Sequence, residues 1–158
     1  MGENVRVVAG RAMIKFITST STLVCRVIDM AYPDFEAVIS NVNGGHNDAT
    51  VDKAEFLKAV KKVLVVADSD RLIKASFSSG LLRLETQGNV GRASETIPLE
   101  YDGGNITLTI NGRYLSDVLA YAVDENIKLK VPKPGEFGSI FFIENDASAL
   151  GIIMPIKA

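Results

Sequence analysis

The chain has 158 residues, 47% hydrophobic and 23% charged, which suffices for one ordinary domain with a real core, or one domain and part of another. A formal net charge of −2 and a pI near 5.4 exclude a generally basic nucleic-acid binder, so any contact with nucleic acid has to be made by a local cationic face. The single cysteine, Cys25, excludes a disulfide framework, and the single histidine, His46, sits in a polar NGGHND loop without metal-ligand spacing around it.

At the N-terminus, MGENVRVVAGRAMIKF interrupts its apolar residues with Arg6, Arg11 and Lys15, so it does not read as a secretory signal. No stretch approaches membrane-spanning length, and the expected compartment is the cytoplasm, with no membrane partner. VRVVAG, AMIKFIT and STLVCRVIDM read as two or three strands; in the last, Leu23, Cys25 and Val27 alternate with Val24, Arg26 and Ile28. So few strands are marginal alone, which makes residues 1–31 the expected end of a preceding domain, or an alternative edge. Residues 32–48, including most of the stretch AYPDFEAVI, are expected to be a connector, and 49–158 the main domain.

Two later segments carry helical spacing. In DKAEFLKAVKKVLVVAD, Asp52 is a credible N-cap with Glu55 three residues on, and Leu57, Val60, Leu64 and Ala67 fall on one stripe opposite Lys58, Lys61 and Lys62. In NGRYLSDVLAYAVDEN, Asn111 caps a helix with an apolar stripe of Leu115, Val118, Leu119 and Ala122, and an outer face carrying Arg113 and Asp117. Strand alternation surrounds both, as in Ile106, Leu108 and Ile110, or Ile127, Leu129 and Val131. Turn signals separate the strands: SSG from Ser78, DGGN from Asp102 and KPGEFG from Lys133. Antiparallel hairpins are the natural connection.

TVDKAEFLKAV from Thr50 and TINGRYLSDVL from Thr109 both run from strand to cap to helix, about sixty residues apart, so one strand-helix-strands unit is read twice. The expected class is α+β, each helix packed on antiparallel strands. The chain closes on GIIMPIKA, an apolar run that would fray unless something uses it. Catalysis finds no support, because no carboxylate pair, Ser/His/Asp set or phosphate-cradling loop can be assembled from this sequence. No cofactor is expected.

Taken in order, YPDFEAVI, the helix KAEFLKAVKKVLVVAD, GRASETIPLEYDGGNITLTINGRYLSDVL and IIMPIK resemble the C-terminal domain of the bacterial DNA polymerase III beta subunit, the sliding clamp. Val5 to Ala31 resemble the last strands of that family's middle domain. The family carries three similar domains per chain and closes two chains into a ring around DNA. The resemblance therefore implies a DNA clamp fold, and a fragment or truncated relative that does not close the ring by itself. It implies a non-catalytic processivity factor for DNA replication; any nucleotidyl transfer would belong to the polymerase that it tethers. The alternative is a stand-alone peptide-binding domain, or a partial clamp, with no DNA role.

The resemblance also assigns residues. In clamps a hydrophobic cleft receives short linear motifs from the DNA polymerase III alpha subunit, the clamp loader and repair proteins. By position, Pro33, Val38, Leu72, Asn111 and Tyr114 would line it, together with Ile152, Ile153, Met154, Pro155 and Ile156 of the tail. Ala37 and Lys157 would alter its polar rim. Lys53, Lys58, Lys61, Lys62 and Arg113 would face duplex DNA without reading its bases. Val66 and Ala67 would lie at the edge between subunits. On burial tendencies alone, Tyr114 and Met154 read as core residues and the lysines as a solvated helix face.

Overall fold

The computed structural model of the chain describes residues 4–32, 34–40, 45–136, 138, 140–143 and 150–156, and at 38 and 141–143 the backbone only. They fall into two compact units, Met1–Phe35 and Glu36–Ala158. The first unit holds one antiparallel sheet of β1 (Arg6–Ala9), β2 (Met13–Ile17) and β3 (Thr22–Arg26). Its register puts Val7, Phe16 and Leu23 in one row and Ala9, Ile14 and Cys25 in the next, so one face is wholly apolar. No described residue of this unit is buried. The third strand ends at Arg26, before the Val27 and Ile28 of the expected alternation.

The segment expected to be a plain connector contains a short helix, α1 (Phe35–Ile39). Five residues make little more than one turn, too few for a helical period to show in the sequence. The rest of the second unit runs β4 (His46–Asp52), α2 (Lys53–Leu64), β5 (Leu72–Ser78), β6 (Leu81–Gly88), β7 (Gly91–Pro98), β8 (Glu100–Tyr101), β9 (Ile106–Asn111), α3 (Gly112–Tyr121), β10 (Asn126–Pro132), β11 (Ile140–Ile143) and β12 (Leu150–Ile153). The expected repeat is present as β4-α2-β5-β6-β7 and β9-α3-β10-β11-β12. Its strands are shared out between two sheets, β12-β11-β10-β4-β8 and β7-β6-β5-β9, with antiparallel neighbours throughout. Each sheet therefore contains strands from both repeats.

Local chemistry accounts for the starts and turns. Asp52 Oδ1 accepts from the Glu55 amide at 2.7 Å and caps α2. Gly80 takes a φ of +77° in the turn between β5 and β6, where a side chain would be strained. In the DGGN turn the Tyr101 hydroxyl donates to the Gly104 carbonyl at 2.8 Å, which satisfies a buried phenol.

The helices pack against each other and run antiparallel, since Lys53 at the start of α2 meets Ala122 past the end of α3 and Leu64 meets Gly112. The apolar stripe of α2 is displaced from the expected one. Phe56, Ala59, Val60 and Val63 are buried, Leu57 and Leu64 are half-buried, and the helix ends before Ala67. The cause is a second contact: α2 packs against β6 and β7 as well as α3, and a single stripe cannot describe a helix covered on two sides. For α3, Leu115 and Leu119 are fully buried, while Val118 and Ala122 lie at the border. No described helix is long and apolar enough to cross a membrane.

Leu119→Ala should lower the unfolding free energy by about 2 to 5 kcal/mol in urea titrations, because it empties a fully buried site. Tyr121→Ala, two residues away and 86% exposed, should change it by less than about 0.5 kcal/mol.

Candidate functional site

The apolar tail is held at both ends of its course. Ile153 pairs with Ile140 at the end of β12, and three residues later the Ile156 amide donates to the Thr109 carbonyl at 2.7 Å. β12 is the edge of one sheet and β9 the edge of the other, so these few residues bridge two sheet edges. Along the way burial alternates as in a strand: Ile153 and Pro155 are buried, whereas Met154 is 63% exposed and Ile156 42% exposed. Buried alternate residues anchor the tail, and the others are presented to solvent.

Two residues beyond Thr109, Asn111 ends β9 and caps α3. Its Oδ1 accepts from the amides of Arg113 at 2.9 Å and Tyr114 at 3.2 Å, and its Nδ2 donates to the Asp70 carbonyl at 3.2 Å. Every polar group of that side chain is thereby used. Tyr114 stands on the first turn of α3 with its side chain 63% exposed. Leu72 sits opposite Asn111 in the β5-β9 ladder, half-buried, and its carbonyl accepts from the buried Thr86 hydroxyl at 2.8 Å.

The structure therefore brings Leu72, Asn111 and Tyr114 together at the end of β9, and hydrogen-bonds the tail to the same strand. Core roles for Tyr114 and Met154, which burial tendencies alone favour, do not hold. Ile153 and Pro155 are core instead, and Ile152 is half-buried. Pro33 lies outside the described residues, as does Lys157. Val38 falls within α1, and its side chain is not among those described.

The five expected DNA-facing cations divide. Lys58, Lys61 and Arg113 are exposed. Lys53 is half-buried and its ammonium donates to the Ala122 carbonyl at 3.1 Å, where it serves the C-terminus of α3. Lys62 reaches toward β7 and meets both Glu95 oxygens at 3.0 and 3.1 Å. Among the described residues, no group of three or more His, Cys, Asp or Glu side chains is placed to hold a metal ion.

A family model for the C-terminal domain of the DNA polymerase III beta subunit matches residues 43–157. The chain belongs to that family. Among curated relatives, a beta sliding clamp of Pseudomonas aeruginosa is 26% identical over 155 residues, 97% of this chain and 41% of the relative. Another, of Caulobacter vibrioides, is 27% identical over 158 residues, 99% of this chain and 42% of the relative. The chain thus spans about two fifths of the length of these clamps. A solved Pseudomonas aeruginosa DNA polymerase sliding clamp superposes with a TM-score of 0.75 at 25% identity, covering 98% of this chain and 42% of that one. The structure of Caulobacter crescentus pol III beta gives 0.77 at 23% identity, over 98% of this chain and 41% of that one.

Within this clamp-family domain, one exposed apolar residue just after α2, Val65, is not singled out by the sequence. Val66 and Ala67, the expected subunit edge, are half-buried in the turn that follows α2, while Val65 at the C-cap is 79% exposed. Asp68 Oδ1 accepts from the Asn89 amide at 3.0 Å, which ties that turn to the turn leading into the sheet-edge strand β7. The sequence carried no clear signal of Val65, because the helical stripe reads on to Ala67, whereas α2 ends at Leu64.

Tyr114→Ala and Met154→Ala should each change the unfolding free energy by less than about 1 kcal/mol, as expected for exposed side chains. Ile153→Ala, 4% exposed, should cost about 2 to 4 kcal/mol, and thermal melts of the three variants separate the two classes.

Proposed function

We propose that this domain works as part of a sliding-clamp processivity factor in DNA replication, a non-catalytic scaffold that tethers other proteins to duplex DNA. The observation that supports this reading best is the anchored tail: Ile153 and Pro155 are buried, Met154 and Ile156 face outward, and the tail is bonded to the strand that delivers Asn111 and Tyr114. An adaptable thioether, a large amphipathic ring and an aliphatic side chain suit a pocket that accepts several related peptides. The partners proposed are the DNA polymerase III alpha subunit, the clamp loader and repair proteins, each offering a short linear motif. Pro33, Val38, Leu72 and Ile152 are proposed to complete the cleft.

In a complete homodimeric ring, α2 and α3 face the duplex, and Lys58, Lys61 and Arg113 meet phosphates without reading sequence. Topological tethering then raises the effective concentration of polymerase at its template without tight DNA affinity, which suits a chain of net charge −2. Val65, with Val66 and Ala67, is proposed to lie at the subunit edge. One observation favours the second reading, a peptide-binding domain with no DNA contact: the ammonium groups of Lys53 and Lys62 are engaged within the domain.

A peptide bearing Gln followed by Leu and Phe should bind the chain in fluorescence anisotropy, and Tyr114→Ala or Met154→Ala should each weaken it by about 1 to 2 kcal/mol. An absence of binding at millimolar peptide refutes the cleft.

Binding to linear duplex should be weak, indifferent to sequence and strongly salt-dependent. Replacing Lys58 and Lys61 by Ala should reduce the slope of log affinity against log salt by about 2, and Lys62→Ala should change it little. A slope unaffected by the double substitution supports the second reading.

A further inference from the structure

Arg71 is the one non-glycine residue with positive φ among those described, at +56°. Only a few per cent of non-glycine residues adopt this left-handed conformation, mostly Asn, Asp or His, and such outliers persist where their surroundings over-determine them. The surroundings of Arg71 do so. Its amide donates to the Asp68 carbonyl at 3.0 Å, its carbonyl accepts from the Gly112 amide at 2.8 Å, and its guanidinium Nη1 donates to the Leu64 carbonyl at 3.3 Å. Just before it, the Asp70 carbonyl accepts from Asn111 Nδ2, and just after it Leu72 enters β5 opposite Asn111.

Two consecutive carbonyls of one turn thus hold two consecutive residues at the start of α3. The Asp70 carbonyl can accept but not donate, so it selects the orientation of the Asn111 amide in which Oδ1 faces the Arg113 and Tyr114 amides. Gly112 leaves little room for a side chain: a Cβ there would collide with Ile73 Cδ1, and would come within 2.8 Å of Leu64 Cδ2. Were Arg71 right-handed, the peptide planes on either side of it would turn, and the Asp70 and Arg71 carbonyls could not both point at the α3 terminus.

We infer that Arg71 is a positioning residue for the peptide cleft, which by its left-handed backbone fixes Leu72, Asn111 and Tyr114 relative to one another. The inference rests on the cleft reading and deepens it. It assigns the role to the backbone conformation, with the guanidinium bond to Leu64 as a secondary support.

The test compares Arg71→Val and Arg71→Gly in the full chain, reading the anisotropy of the Gln-Leu-Phe peptide and hydrogen exchange at the Gly112 amide. A branched Cβ resists positive φ, so Arg71→Val should weaken the peptide about tenfold and speed Gly112 exchange by a similar factor. Arg71→Gly adopts the conformation freely and should keep both readouts within about twofold of the wild type. If Arg71→Val fails to fold, Arg71→Ala gives the same comparison with a milder penalty. The inference is overturned if the Val or Ala variant binds peptide like the wild type with Gly112 still protected. It is overturned equally if Arg71→Gly loses as much as Arg71→Val, since the side chain and not the backbone would then position the cleft. A wild-type chain that ignores the peptide refutes the cleft reading instead, and Gly112 exchange still shows whether Arg71 holds the α3 terminus.

Discussion

Neither strand-helix-strands repeat can bury its helix alone, and the second unit depends on how the two repeats join. β4 of the first pairs with β10 of the second from Asp52 and Asn126 to His46 and Pro132, and β5 pairs with β9 from Leu72 and Asn111 to Phe77 and Ile106. These long-range ladders put strands of both repeats into each sheet and bring α2 and α3 side by side, antiparallel. Val60, Val63, Leu115 and Leu119 are then sealed from water, and removing any one of them opens a cavity in the core that both repeats share.

The same pairing makes the candidate site. Because β9 pairs with a strand on one side only among the described residues, its other side can accept the tail, and the Ile156 to Thr109 bond uses that edge. Because β9 runs directly into α3, the residue that ends the strand is also the cap of the helix. Asn111 therefore joins a sheet edge, a helix terminus and the turn at Arg71 through one side-chain amide. The exposed Tyr114 and the bridging tail are thus both held from regular elements, one by the capped start of α3 and the other by β12 and β9.

The helix face shows how charge is divided between structure and surface. A row of lysines at helical spacing reads as one cationic stripe, yet the ammonium groups of Lys53 and Lys62 end on a carbonyl and a carboxylate of neighbouring elements. The Lys62 to Glu95 pair, about half-exposed on the lysine side, adds little stability, but it diverts that charge from the outward face. Of the five expected cations, Lys58, Lys61 and Arg113 are left exposed.

Strand alternation, the Asp52 and Asn111 caps, the glycine turns and the duplicated strand-helix motif were legible in the sequence, because each rests on chemistry within a few residues. The α+β class and the two repeats follow from them. Tertiary structure alone decided the rest. Which apolar residues of α2 are buried depended on its having two neighbours, so Phe56 and Val63 replaced Leu57 and Leu64 in the core. Whether Tyr114 and Met154 are core or surface depended on what lies across from them, and a sequence carries no record of that. The left-handed Arg71 is the extreme case: nothing in DSDRLIK announces it, and beside its bonds to Asp68 and Leu64 its turn is joined to Asn111 and Gly112, some forty residues away along the chain and adjacent only in the fold.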